Sequence, residues 1–215
     1  MSRSSILTRM LGVSMVGVLL AGCLALPQSD RTMFQEPPLA NRGTLPLKAG
    51  LMTLTDARPD GERRSFRDIE DFPDRITLEL LMDLSEAQLF SSIGHDSRGA
   101  DVILRGEIRS FQWKPRYGWA PYIPGFGFLA AVGVPVAYST GQVELAIDVV
   151  DAKTDQRIAS YTKAASDHHA YWVYRYQDFT AGSDRDTDSA FRRVVDELQS
   201  AILADGDRIV AAVKR

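Results

Sequence analysis

The sequence has little of three things that often identify a function: cysteine, histidine and excess positive charge. Its 215 residues include one cysteine, Cys23, and three histidines. A disulfide within the chain is therefore impossible. The 25 Lys and Arg residues stand against 28 Asp and Glu residues, a net charge of -3. Because no basic stripe is available to neutralise phosphates, nucleic acid is not an expected partner.

The sequence also lacks an apolar run long enough to span a bilayer. The uncharged run Met10 to Leu20 is about half of the roughly 20 residues that a spanning helix needs. Arg3 and Arg9 precede it, and a basic start followed by a short apolar centre is typical of an export signal. We therefore predict that residues 1–22 are a signal peptide. The alternative is a soluble protein whose first helix is apolar.

The four residues Leu20-Ala21-Gly22-Cys23 end the apolar run and resemble a bacterial lipobox. That resemblance implies cleavage before Cys23 and acylation of its thiol and amino group. Two or more acyl chains hold a protein stably on a membrane. An acylated Cys23 leaves no thiol for catalysis or for metal binding. Leu24, where an Asp commonly marks retention in the inner membrane, implies the periplasmic face of the outer membrane as the location.

The chain after the anchor divides into a tether and one domain. Residues 23–45 contain Pro27, Pro37, Pro38 and Gly43 and have no apolar period, so we predict a flexible tether spanning roughly 25 Å. Residues 46–215 are long enough for a single domain with a real core. The net charge of -3 becomes -5 once Arg3 and Arg9 are removed with the signal.

Hydrophobic periodicity in residues 46–215 predicts an α+β fold. Strands with one apolar and one polar face favour an antiparallel sheet, and two apolar helical stripes would cover one face of it. The predicted strands are 47–55, 100–113, 142–151 and 157–164, and the predicted helices are 73–90 and 189–204. The Asp-rich residues 182–188 are predicted to be a loop that caps the second helix.

A long apolar insertion, residues 114–140, separates the two middle strands. Connections of this length inside a compact domain are usually functional or disordered, and the apolar content argues against disorder. Two hypotheses remain open: a hydrophobic flap over the core, or an exposed patch that contacts an envelope protein or lipid. The predicted contact residues are Tyr117, Trp119, Tyr122, Phe126, Phe128 and Leu129.

Other polar motifs give weak support for catalysis. Asp56 and Arg58 lie in a Pro- and Gly-rich stretch and are predicted to form a structural turn. Asp167-His168-His169 resembles the motif of the DHH phosphoesterases but lacks the further Asp and His ligands of two metals, so we predict an exposed strand end. The aromatic residues 171–179 are predicted to pack against the insertion. With no nucleophile elbow and no metal cluster, we expect a protein without catalysis and without a cofactor.

Three segments together resemble a known group of proteins. Thr55 to Arg58, Ala100 to Ile108 and Val143 to Asp151 are similar to the corresponding strands of small envelope lipoproteins of the YajG-like and ABC-type transport auxiliary families. The resemblance implies a non-catalytic accessory lipoprotein that serves an envelope transport complex. A lipoprotein activator of peptidoglycan synthases, and a hydrolase, are the alternatives.

Overall fold

The computed structural model describes residues 39–65, 71–118, 135, 137–171 and 177–214. The predicted signal peptide and most of the predicted tether lie outside these residues. The elements in chain order are β1 (Leu45–Leu51), β2 (Thr55–Asp56), α1 (Asp60–Ser65), α2 (Phe72–Glu86), β3 (Phe90–Gly94), β4 (Val102–Tyr117), β5 (Ala137–Asp151), β6 (Arg157–Tyr171), α3 (Gln177–Ala204) and α4 (Gly206–Val213).

One mixed sheet forms the centre of the described residues. Its order is β3-β1-β4-β5-β6, and β2 also pairs with β4. Strands β4, β5 and β6 are antiparallel neighbours, as predicted. The antiparallel prediction is wrong for β1 and β2, because β1 runs parallel to both β3 and β4, and β2 runs parallel to β4. Helix α2 makes the crossover from β1 to β3 that a parallel pair needs.

Helices α2 and α3 pack on one face of the sheet, which confirms the α+β class. The apolar stripe of α3 is as predicted, and each of its large members is at most 1% exposed. Burial of each such side chain contributes roughly 1.5–3 kcal/mol relative to exposure. The principal helical core residues are Ile76, Leu80 and Leu84 of α2 and Phe191, Val194, Val195, Leu198 and Ile202 of α3.

Helix α3 is longer than the sequence predicts, because it begins at Gln177. The predicted capping loop at 182–188 is therefore wrong. Gly182 disfavours a helix by about 1 kcal/mol relative to Ala, and Asp favours helix caps, so the sequence signals a loop where the structure has a helix. The second difference is at the end of α2, where Phe90 begins β3 instead of ending the helix. The five residues of β3, Phe-Ser-Ser-Ile-Gly, do not alternate between apolar and polar as a strand with one buried face would.

Strands β4 and β5 are also longer than predicted, so residues 114–117 and 137–140 belong to a hairpin and not to an irregular insertion. Pro115 lies inside β4, opposite Ser139. Within the described residues, no strand pairs with the other edge of β4 beyond Ile108. No strand on that edge needs a hydrogen bond from a backbone N–H at position 115, and proline is tolerated in a strand at such edge positions. Among the described helices, none is long and apolar enough to cross a membrane.

Candidate functional site

The predicted lipid-attachment residue and most of the predicted contact residues lie outside the described part of the chain. These are Cys23, Trp119, Tyr122, Phe126, Phe128 and Leu129. Tyr117 is described as the last residue of β4, and its surface is 61% exposed. On the facing strand Tyr138 is 44% exposed. The structure therefore defines the base of the predicted contact region, at the end of the β4–β5 hairpin where the two strands are connected.

This hairpin continues well past the main hydrophobic core. Phe111 and Val143 are paired opposite each other and are the last members of that core on their strands. Tyr117 lies six residues farther along β4, which corresponds to about 20 Å of strand. We call the extension formed by residues 112–117, 137–142 and 166–171 the distal half of the sheet. A small separate cluster of Ala137, Tyr171 and Trp113 provides its apolar packing.

The backbone of α3 packs directly on the distal half at Gly141. A Cβ atom at Gly141 would lie 2.2 Å from the carbonyl oxygen of Asp186 and 2.7 Å from the nitrogen of Thr187. No side chain fits in that space, so glycine is required by the close approach of helix and strand. The contact places the carboxylate of Asp186 against the sheet, where its side chain is completely buried.

Polar side chains of the distal half converge on the Asp186 carboxylate. The Ser139 hydroxyl donates a hydrogen bond to it, and His169 Nδ1 lies 2.6 Å from Asp186 Oδ1. The Tyr171 hydroxyl oxygen lies 3.2 Å from Ser139 Oγ. Burial raises the pKa of Asp186, while the charge of His169 and a hydrogen bond from Trp113 oppose that rise. We call these five residues the Asp186 cluster.

The Asp186 cluster contains a serine, a histidine and an aspartate, but not in a catalytic order. An activated serine donates its proton to a histidine that the carboxylate orients. Here the carboxylate lies between the hydroxyl and the imidazole, and Ser139 is 1% exposed. This arrangement is not that of a Ser-His-Asp triad. Its effect is to fasten α3 to the hairpin.

Sequence reasoning missed the Asp186 cluster. Asp186 belongs to the stretch predicted as a capping loop, and Ser139 to the predicted insertion. The one available signal was Gly141 inside a strand, because a glycine there often marks a close backbone approach.

The Asp167-His168-His169 motif lies within β6, so alternate side chains point to opposite faces. On one face His168 Nδ1 lies 2.9 Å from the Thr140 hydroxyl. On the other face Asp167 is 3.5 Å from Arg193. The motif does not converge on one point, and the described residues hold no group of three or more His, Cys, Asp or Glu side chains that could bind a metal.

The Asp56–Arg58 turn has the structural role predicted for it. Asp56 accepts a hydrogen bond from the Arg58 backbone N–H at 3.1 Å and two from its guanidinium at 2.9 Å. Arg58 is 4% exposed, and its guanidinium lies 3.8 Å from the centre of the Phe72 ring. Its hydrogen bond to Asp56 holds the pKa of that carboxyl below its ordinary value.

A shallow polar depression of about 300 Å³ lies on the sheet, and it is lined by Thr55, Arg105, Gly106, Glu107, Arg109, Ala146, Asp148, Arg157 and Ser160. Its arginines are paired with acids, for example Arg105 with Asp155 at 2.7 Å. Charges of both signs therefore balance there.

The described residues thus define an α+β protein, a mixed sheet with helices on one face and one elongated hairpin. No family model and no curated protein matches the sequence. Solved structures are similar to this chain at low sequence identity. A Xanthomonas campestris protein of the DUF330 family is 11% identical, with a TM-score of 0.49, covering 80% of this chain and 91% of that one.

Two other solved structures are also similar to this chain. Lipoprotein B of Nitrosomonas europaea is 13% identical over 80% of this chain and 92% of its own, with a TM-score of 0.44. The PelC dodecamer of Paraburkholderia phytofirmans is 12% identical over 76% of this chain and 91% of its own, with a TM-score of 0.39.

Proposed function

We propose that this protein is a non-catalytic accessory lipoprotein of the bacterial envelope, anchored through Cys23, that contacts an envelope protein or lipid with the end of its β4–β5 hairpin. The observation that carries the proposal is the hairpin itself. Its arms extend about 20 Å past the core and end at the exposed Tyr117 and Tyr138. The sequence from Tyr117 to Val143 contains no charged residue.

The geometry of the polar residues supports a binding role over a catalytic one. In the Asp186 cluster, Ser, His and Asp side chains meet near the hairpin. The carboxylate lies between the other two groups, which is the position of the imidazole in a catalytic triad. A hairpin fastened rigidly by a buried carboxylate suits the presentation of a surface.

The N-terminal sequence supports an address at the periplasmic face of the outer membrane. Cys23 would hold the chain through several acyl chains, and the predicted tether would let the domain stand roughly 25 Å from the lipid. Such a position suits an accessory subunit of an envelope transport or assembly system.

Photo-crosslinking in living cells tests the proposed contact surface. A photoreactive amino acid at position 117 or 138 should capture the same envelope protein, or phospholipid, in each case. Positions 78 and 82 are the matched controls, because Leu78 and Met82 are also large, apolar and more than half exposed, at 53% and 57%, but lie on α2. Equal capture from all four positions would contradict a specific contact at the hairpin.

Two variants separate the remaining possibilities. Cys23→Ala should release the protein from the membrane and weaken capture from position 138. Deletion of residues 122–136 should abolish capture while leaving one cooperative unfolding transition. Loss of that transition would support the alternative in which the insertion is a flap over the core.

A further inference from the structure

Strand β6 forms one edge of the sheet over 15 residues, Arg157–Tyr171. Within the described residues, β5 is the only strand that pairs with it. An edge strand presents a row of backbone N–H and C=O groups that can pair with another strand. The edge of β6 is therefore a surface to which a strand of suitable sequence can be added.

The middle of β6 is complementary to itself. It reads Lys163-Ala164-Ala165-Ser166-Asp167, with small residues between two opposite charges. In an antiparallel pair of two such strands, centred on Ala165, Lys163 of each copy faces Asp167 of the other. Opposite charges placed directly across a strand pair stabilise it. The small residues Ala164 and Ser166 face each other, so no bulky side chains meet at the centre.

We propose that the β6 edges of two copies of this chain pair antiparallel about Ala165 and join the two sheets into one. The occupant of the edge is thus a second copy, chosen by the charge match. This inference rests on β6 alone and is independent of the proposed contact at the hairpin end.

Internal contacts of Asp167 and Ser166 bear on this pairing. Asp167 Oδ1 accepts a hydrogen bond from the His168 backbone N–H at 3.0 Å. Arg193 of α3 donates a hydrogen bond to the Ser166 carbonyl at 3.1 Å and lies 3.5 Å from Asp167 Oδ1. A carbonyl oxygen has two lone pairs and a carboxylate has two oxygens. Ser166 can therefore accept a second bond from a neighbouring strand, and Asp167 can receive a lysine of the second copy on its other oxygen.

A cysteine placed on the proposed axis tests the pairing in the full chain. Residues directly opposite in an antiparallel pair have Cα atoms about 4.5–5.5 Å apart, within the range of a disulfide. Ala165→Cys should therefore give a disulfide-linked dimer in cells under mild oxidation. The native chain measures the background from Cys23. Lys153→Cys, in the β5–β6 turn, and Ile93→Cys, on the β3 edge, measure chance collisions.

Charge reversal then tests the register. Lys163→Glu and Asp167→Lys, each combined with Ala165→Cys, should each reduce the dimer roughly fivefold. Coexpression of the two variants should restore it, because the glutamate introduced in one copy then faces the lysine introduced in the other, and the native Lys163 and Asp167 still face each other.

The outcomes that count against the proposal are distinct. A dimer yield at Ala165→Cys no greater than in the collision controls would overturn the pairing. A yield that is higher for a cysteine at position 163 or 167, or that does not respond to the charge reversals, would overturn the register. Circular dichroism melting of each variant verifies that it is folded.

Discussion

The contact between Gly141 and α3 allows a quantitative prediction. In Gly141→Ala the new Cβ would lie 2.2 Å from the Asp186 carbonyl oxygen, whereas ordinary contacts begin at 3.4 Å. The helix must therefore move away by roughly 1 Å. That movement pulls the buried carboxylate from the Ser139 hydroxyl and from His169.

The expected loss of stability follows from two terms. Overpacking of a close contact costs about 1–3 kcal/mol, and a buried polar group left without its hydrogen bond costs about 1–3 kcal/mol more. We therefore expect Gly141→Ala to lower the free energy of unfolding by roughly 2–6 kcal/mol. Amide protons of α3 near residues 187–190 should also exchange faster, because Asp186 and Thr187 make the contact with Gly141.

Urea unfolding with hydrogen exchange measures both effects. Gly94→Ala is the matched control, since a Cβ at Gly94 meets nothing within 4 Å; we expect its unfolding free energy to change by less than about 0.5 kcal/mol. If Gly141→Ala matched Gly94→Ala in stability and in exchange, the tight packing of α3 on β5 would be refuted.

Three further predictions concern buried polar groups. Burial raises the folded-state pKa of Asp186 above its ordinary 3.8. The stabilisation that this residue contributes is therefore complete below pH 3.8 and is lost as pH rises through the raised pKa. Asp186→Asn should remove this decline in the free energy of unfolding, measured by urea unfolding curves at a series of pH values. Arg58→Leu should lower the free energy of unfolding, measured by thermal denaturation, by roughly 2–4 kcal/mol, because it leaves Asp56 without its guanidinium partner. Tyr161→Phe should cost about 1 kcal/mol in the same assay, since it loses the 2.8 Å hydrogen bond to Asp205.

Each of these has an outcome that would count against it. If the free energy of unfolding of Asp186→Asn changed with pH as it does in the native chain, this carboxyl would not be the cause of the pH dependence. Wild-type stability in Arg58→Leu would show that the Asp56 turn holds without its ion pair. Unchanged stability in Tyr161→Phe, with a loss only in Tyr161→Ala, would assign the effect to ring packing and not to the hydroxyl.

The sequence predicted those strands and helices that have one buried apolar face and one face exposed to solvent. The alternation in β4 and β5 and the stripe from Phe191 to Ile202 needed no knowledge of distant residues, because burial alone sets their period. The predicted direction of β1 was wrong, since alternation is the same in parallel and antiparallel strands.

The distal half could not be predicted for a different reason. Its support comes from a hydrogen bond between Ser139 and Asp186, residues 47 positions apart. Neither residue type signals burial, and Asp favours helix caps and turns in most contexts. Only the position of Gly141 against the helix makes the carboxylate a buried group. Long-range contacts of this kind leave no period in the sequence.

The place of β1 in the sheet has a mechanical consequence. β1 is the first strand among the described residues, yet it lies inside the sheet, hydrogen-bonded to β3 on one side and to β4 on the other. A force pulling on the chain before Leu45 along the strand axis would load both ladders in shear, so many hydrogen bonds must break together instead of one after another. A protein held by its N-terminus would thus bear tension through a strand that is paired on both sides.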